Sequence, residues 1–354
     1  MTDTSTRRLA TVETITEIAP IPGADAIVRA RIRGWDVVVK KGEFAPGAKC
    51  VYFEVDTMLD VDDPRFDFLA ARGVRTDAEG RKGHVLKTAR LRGQYSQGLA
   101  LPLSAFPEAS QALEPGTDVT AYLPVWKWEA PVPASIAGQV RGMRPSWIPA
   151  TDEERIQNIP GILQANATWV ATEKIDGTSC TFWIDYSQGT PADYGVCSRN
   201  LDLLPADGNT LWRMARTLDI HNRIADEICE PYEANRVALQ GEVFGEGIQA
   251  NPLRLKGHHF RAFTLRIDGR EIPRGDWPEW VRDLSVPVLG LEFPASLDEA
   301  LAQADGIKST LADRPAEGIV WRASDGAHVM LPDGSQARGS FKVISRAYLL
   351  KNDR

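Results

Sequence analysis

Lys174 is the side chain of this sequence best placed for covalent chemistry, and it stands in Thr172-Glu173-Lys174-Ile175-Asp176-Gly177-Thr178. A protonated lysine is no nucleophile; it becomes one when desolvation or neighbouring cations lower its pKa. The apolar run Trp169-Val170-Ala171 precedes it and an Asp-Gly turn follows, so the lysine is expected at the mouth of a sheet instead of loose in solvent. Further chemistry-bearing residues follow in order. Arg199, in Cys197-Ser198-Arg199-Asn200, suits a phosphate or a ribose. Glu242, in Gly241-Glu242-Val243-Phe244-Gly245, puts a carboxylate at a strand end, and Phe263 lies in the aromatic-bearing run Phe260 to Leu265. Glu317 opens Glu317-Gly318-Ile319-Val320-Trp321-Arg322, and Lys342 sits in Ser340-Phe341-Lys342-Val343-Ile344. K-x-D-G alone is a common tetrapeptide, most often explained by a surface lysine. The weight lies in the ordered set.

That set resembles the covalent nucleotidyltransferase superfamily of ATP-dependent DNA and RNA ligases and mRNA capping enzymes. Its hallmarks are K-x-D-G, S-R, G-E-x-F-G, a Phe-rich strand, E-G-hydrophobic-V and a Lys-bearing last strand, matched here between Thr151 and Ile344. With Glu173 directly before Lys174, the first motif looks more like RNA ligases that seal nicked duplexes than like DNA ligases. The resemblance implies an antiparallel-sheet nucleotidyltransferase (ATP-grasp-like ligase) domain. It implies that Lys174 attacks the α-phosphorus of ATP to form lysyl-AMP, that AMP passes to a 5′-phosphate, and that a 3′-OH then displaces AMP. Such transfer depends mainly on placement and on neutralising oxygen charge. By resemblance, Lys342 approaches the α-phosphate and depresses the pKa of Lys174. Glu242 and Glu317 bind Mg2+ or Mn2+, with Glu242 also near the ribose. Phe263 stacks on adenine, Arg199 contacts the ribose or the nick, and Thr172 and Glu173 lie near the adenine edge. The expected partner is a nicked duplex with an RNA 3′-OH and a 5′-phosphate. One departure stands out: RNA ligases generally carry K-x-K in the last motif, whereas Lys342 is flanked at that spacing by Ser340 and Ile344, leaving Arg338 or Arg346 as replacements. A DNA ligase, an mRNA guanylyltransferase and a non-catalytic RNA-binding protein are the alternatives.

The elements that must position these residues are strands. Short β-branched runs are expected at 168–171, 180–186, 237–244, 260–268, 318–321 and 339–344, with one amphipathic helix or two short ones over 210–229 and another over 297–304. Thr151-Asp152-Glu153-Glu154 has the form of a capping box and predicts a short helix from Thr151 towards Ile159. Antiparallel strands with inserted helices make an α+β domain over 151–354. Residues 1–106 read differently. Alternation from Ile27 to Arg33, the run Trp35 to Val39 and the run Val51 to Val55, parted by Gly and Pro, predict a five-stranded OB-type barrel with a long charged loop at 60–80. Between them, 107–150 is a connector rich in Pro and Trp (Pro124, Trp126, Trp128, Pro131, Pro133, Pro145, Trp147, Pro149). An OB domain ahead of the catalytic core resembles a small family of RNA ligases built in that order.

Composition bounds the rest. The chain has 354 residues, 43% hydrophobic and 25% charged, which excludes wholesale disorder and favours two domains. The opening MTDTSTRRLA has no apolar core of a signal peptide and no stretch approaches a membrane span, so a cytoplasmic location is expected; the chain is also expected to be a monomer. Cys50, Cys180, Cys197 and Cys229 form no C-x-x-C pair and are expected reduced. A net charge of −7 argues against bulk coating of nucleic acid. The charge is uneven, though: 1–106 holds 16 Lys+Arg against 14 Asp+Glu, and the remainder 25 against 34. Arg81, Lys82, Lys87, Arg90 and Arg92, with Trp35 and Tyr95, are the candidates for nucleic-acid contact by the first domain. His258-His259 is read as no metal pair, because adjacent strand residues face opposite ways.

Overall fold

The alternation at Ile27 does what a half-buried strand requires: Val28, Ala30 and Ile32 are buried, while Arg29 and Arg31 emerge to pair with Asp36 at 3.0 and 3.2 Å. The computed structural model describes residues 7–109, 114–129, 139–326 and 328–352, and the chain clusters into two units. One comprises 1–132 with 157–160 and the segment from 349; the other comprises 133–156 and 161–348.

The first unit is all-β. Its strands are β1 (Ala10–Pro20), β2 (Ile27–Ile32), β3 (Trp35–Lys40), β4 (Lys49–Phe53), β5 (Thr57–Asp60), β6 (Arg75–Thr76), β7 (Lys82–Val85), β8 (Ala89–Leu91), β9 (Gln94–Ser96), β10 (Leu99–Pro102) and β11 (Val125–Lys127). They form an antiparallel sheet in the order β10-β4-β1-β2-β3, a second in the order β11-β5-β7-β6, and the β8–β9 hairpin. β1 pairs with β4 through Ala10 to Thr14, then with β2 from Ile15, and a bulge between Ile15 and Glu17 bends it from one partner to the other. β4 is buried on both faces. Val51 and Phe53 join one apolar cluster, where Phe53 meets Phe66 and Phe106 at 5.6 and 5.5 Å, and Cys50 and Tyr52 join another with Trp35.

The second unit carries β12 (Val140–Met143), β13 (Trp169–Lys174), β14 (Thr178–Asp185), β15 (Asp193–Cys197), β16 (Leu201–Leu203), β17 (Arg236–Gly245), β18 (His258–Ile267), β19 (Arg270–Glu271), β20 (Val288–Leu289), β21 (Gly318–Ala323), β22 (His328–Met330), β23 (Gln336–Arg338) and β24 (Ser340–Ile344). A seven-stranded sheet runs β12-β16-β15-β14-β17-β18-β19 and a four-stranded one runs β20-β13-β21-β24, all antiparallel where paired. The helix Thr210–Thr217 starts where the Asn209 side chain accepts from the Leu211 and Trp212 amides, and ends before Asp219, whose φ of 51° sets a left-handed break ahead of Ile220–Ile224. Ser296 caps Leu297–Gly306 in the same manner. No helix of the described residues is long and apolar enough to cross a membrane.

Three expectations need correcting. The helix expected from Thr151 does not form: residues 151–154 belong to no regular element, and only Ile156–Asn158 makes a 3-10 turn. The capping-box side chains are engaged elsewhere, Thr151 with Ser179 and Glu154 as acceptor from the Arg155 amide at 2.8 Å. The expected connector supplies β11 to the first unit and β12 to the second, although Pro131 and Pro133 lie outside the described residues. The charged loop at 60–80 contains a 3-10 helix, Pro64–Arg72, anchored by buried Phe66 and Leu69.

Candidate active site

Side-chain alternation on β13 sends Thr172 and Lys174 to one face and Glu173 to the other. The Lys174 face lines a cavity of about 300 Å³, and all eight residues singled out from sequence border it: Thr172, Glu173, Lys174, Arg199, Glu242, Phe263, Glu317 and Lys342. They arrive from six separate stretches of chain. The registers explain the meeting. β21 lies beside β13 with Gly318 opposite Lys174, which puts Glu317 at the lysine's end of the strand, and β24 lies beside β21 with Lys342 opposite Val320. β14 turns back after Gly177 to pair with β17, setting Ser179 opposite Glu242. Two glycines permit this closeness. A Cβ on Gly177 would fall 2.4 Å from the Val243 carbonyl, and one on Gly318 would fall 2.1 Å from the Val343 carbonyl.

The Lys174 Nζ donates to Glu317 Oε2 at 2.6 Å. Burial pulls the lysine's pKa down, but Glu317, Glu242 and Asp176 together outweigh it and the net shift is upward. In the site without nucleotide or metal, the carboxylates set the direction of the lysine's shift. Burial also raises Glu317 and pushes Glu242 up to about 8, where the opposing pull of Lys174 is partly cancelled by Glu317 and Asp176. Among the described residues no group of three or more His, Cys, Asp or Glu is arranged to hold a metal. Two carboxylates fit a Mg2+-like ion that keeps waters and shares substrate phosphates, and do not form an all-protein cage. His258 and His259 hydrogen-bond the Glu246 and Lys256 carbonyls, each at 2.9 Å.

The remaining residues have distinct surroundings. The Glu173 carboxylate is committed away from Lys174, accepting from the Ser309 hydroxyl and from the Thr310 amide and hydroxyl, the latter two at 2.9 and 2.8 Å. Thr172 donates to the Val320 carbonyl at 3.1 Å. Arg199 is half-exposed and pairs with Asp152. Phe263 occupies a bulge in β18: Gln240 pairs with Thr264 and Gly241 with Ala262, so Phe263 has no opposite number. Neither expected replacement for a second last-strand lysine borders the cavity, since Arg338 pairs with Glu271 at 3.1 Å and Arg346 with Asp305 at 2.7 Å. Arg322 does border it, as do Asp152, Glu153, Asp176 and Gln249. Asp176 accepts from Tyr348 Oη at 2.7 Å. Sequence reasoning passed over Arg322 although it closes the Glu317 motif; only the register across strands reveals its place.

In the first unit, Trp35 is removed from the nucleic-acid candidates: it is fully buried and its Nε1 donates to Asn158 at 2.7 Å. The other candidates stay at or near the surface, with the Arg81 guanidinium 5.0 Å from the Trp126 ring centre and that of Arg90 5.3 Å from Tyr95.

One cavity thus gathers an amine, carboxylates, cations and an aromatic ring. A family model described as RNA ligase matches residues 167–344, and one described as an OB-fold domain matches 9–103. The chain belongs to the RNA ligase family, with the OB-fold domain ahead of the ligase domain. Among solved structures, an RNA ligase of Naegleria gruberi with PPi is similar at 37% identity and a TM-score of 0.83, over 99% of this chain and 100% of that one. A substituted form of that ligase with ATP and Mn is similar at 36% identity and TM-score 0.83, and another with AMP and Mn at 37% and 0.83, each over 98% of this chain and 99% of the other. Comparison with curated proteins finds no match.

Proposed function

We propose that this ATP-dependent RNA ligase works through a lysyl-AMP on Lys174 and seals nicks whose 3′-OH strand is RNA. The observation that carries the reading is the Lys174 amine at the cavity floor, 2.6 Å from Glu317, with Glu242 and Lys342 bordering the same space. The Nζ lone pair forms a bond to the α-phosphorus as the bond to the pyrophosphate oxygen breaks. An oxygen of the nucleic acid's 5′-phosphate next takes the adenylyl group, breaking the N–P bond and restoring the amine. The 3′-OH finally attacks the activated 5′-phosphate and expels AMP.

Each step sets a demand on a residue. Lys174 must shed its proton before it attacks, and Glu317, its hydrogen-bond partner, is the nearest acceptor. Mg2+ or Mn2+ at Glu242 and Glu317 would neutralise phosphate charge and offset the carboxylates that hold the lysine protonated. Lys342 suits the α-phosphate oxygens, Phe263 the adenine ring, and Arg199 the ribose or the nick, where it would exchange Asp152 for a phosphate. Thr172 and Glu173 would border the adenine edge, Glu173 through its backbone, since its carboxylate is engaged with Ser309 and Thr310. The relatives solved with ATP and Mn, with AMP and Mn and with PPi support the nucleotide half of this scheme. The nicked-duplex substrate, the monomeric state and a cytoplasmic location belong to the same proposal.

The test is incubation with α-labelled ATP and divalent salt, followed by denaturing electrophoresis and mass spectrometry of the modified peptide. A stable AMP increment on Lys174, discharged by nicked duplex with an RNA 3′-OH and not by one with a DNA 3′-OH, is the expected result. A folded protein that takes up no label would sink the scheme.

A further inference from the structure

Phe263 owes its orientation to the bulge in β18, and a bulge leaves backbone groups without ladder partners. Here one group supplies what is missing. Arg322 Nη1 donates to the Phe263 carbonyl at 2.8 Å and to Thr264 Oγ1 at 2.8 Å, and its guanidinium lies 5.6 Å from the centre of the Phe263 ring. Nη2 donates to buried Glu153 Oε1 at 2.6 Å. Glu153 in turn accepts from Ser340 Oγ and faces Arg338 Nη1 at 3.5 Å, so its carboxylate is anchored to β24 and to the end of β23. The cross-strand register places Arg322 directly opposite Ser340. Arg322 Nη1 also faces Glu271 Oε1 at 3.5 Å, so the guanidinium is held from more than one side.

We propose that Arg322, held by Glu153, is a positioning residue for the nucleobase: it pins the β18 bulge so that Phe263 is presented as the stacking platform. The inference rests on the reading of this cavity as the adenylation site. It separates two duties open to a cation in this cavity. A residue that organises the base platform governs how much ATP is needed, while one that binds phosphate governs pyrophosphate as well.

The experiment compares the intact chain with Arg322→Ala, Arg322→Lys and Glu153→Gln, measuring lysine adenylation against ATP concentration and reversal of the adduct against pyrophosphate concentration. Loss of an ordered base stack corresponds to about tenfold in affinity, so Arg322→Ala should raise the ATP concentration for half-maximal adenylation about tenfold. Arg322→Lys, which cannot make the planar fork, should be intermediate, and Glu153→Gln should follow it. The rate at saturating ATP and the half-effective pyrophosphate concentration should stay within about threefold of the unaltered chain. A merely structural role would lower the adenylated fraction and leave the ATP requirement of the folded remainder unchanged. That outcome, or a parallel weakening for pyrophosphate, overturns the proposal. If Arg322→Ala does not fold, the Lys and Gln variants decide by the same criteria. Absence of any adduct in the unaltered chain would instead remove the reading beneath, and this inference with it.

Discussion

At the scale of the residue, the site turns on one contest. Glu317 at 2.6 Å favours the charged Lys174 amine, whereas the proposed attack on ATP needs it neutral. Arginine in place of lysine would keep the ion pair and lose the nucleophile, because guanidinium does not deprotonate in proteins. Lys174→Arg should therefore fold with a melting temperature close to that of the unaltered chain and form no AMP adduct in the label-transfer assay. It should still seal a nick whose 5′ end is already adenylylated, at a reduced rate; failure there, with binding of that nick retained, would place Lys174 in the later steps too. The residues of this contest were legible in the sequence because each sits in a motif whose order along the chain survives folding. What was not legible is the sign of the pKa shift. It depends on Glu242, Glu317 and Asp176 converging from three strands or strand ends, and linear spacing does not record that.

At the scale of the element, residues 151–154 show how local grammar misleads. Thr-x-x-Glu has the same letters whether the threonine caps a helix or, as here, bonds Ser179 while the next residues reach across the cavity wall. Asp152 pairs with Arg199, Glu153 with Arg322, and the Glu154 carbonyl accepts from the Lys342 amide at 2.8 Å. Tertiary partners outcompete a short helix whose intrinsic stability in water is marginal. β12 was hidden for a related reason: Val140-Arg141-Gly142-Met143 has no alternation to read, and pairing with β16 makes it a strand. The buried Glu153 carboxylate also has a measurable consequence. Burial opposes its ionisation, but Arg322, Arg338 and the Ser340 hydroxyl more than compensate, so its folded pKa lies below the ordinary carboxylate value. A group of that sign stabilises the fold above its unfolded pKa of about 4.3 and loses the contribution as pH falls through the lower folded value. Melting temperature should thus drop between about pH 4.5 and pH 3 more steeply in the unaltered chain than in Glu153→Gln, which starts lower at neutral pH. Equal slopes would show that another carboxylate dominates.

At the scale of the molecule, positive charge is concentrated where the net charge would not suggest it. Residues 72–95 hold seven Lys and Arg against two Asp and Glu in a chain of net −7. Cutting the chain after residue 106 would not isolate their contribution, because β11 would be stripped from β5. Substituting Lys82, Lys87, Arg90 and Arg92 by Gln in the full chain avoids that. Lysine adenylation should be unchanged, while nick binding weakens and its salt dependence flattens by up to about 0.9 log units for each phosphate that is no longer neutralised. An unaltered salt slope would remove this face from the nucleic-acid interface.

Residues 157–160 belong to the first unit although the chain has already entered the second by then. The Gly34 amide donates to the Gln157 carbonyl at 3.1 Å, and Asn158 receives the Trp35 indole. The backbone thus makes a return stitch, and a single scission at an engineered protease site between 132 and 133 should leave two polypeptides that still travel as one species in gel filtration. Weakening the stitch with Asn158→Ala should let the nicked halves part at lower denaturant, whereas separation on scission alone would show that the thread carries no tension.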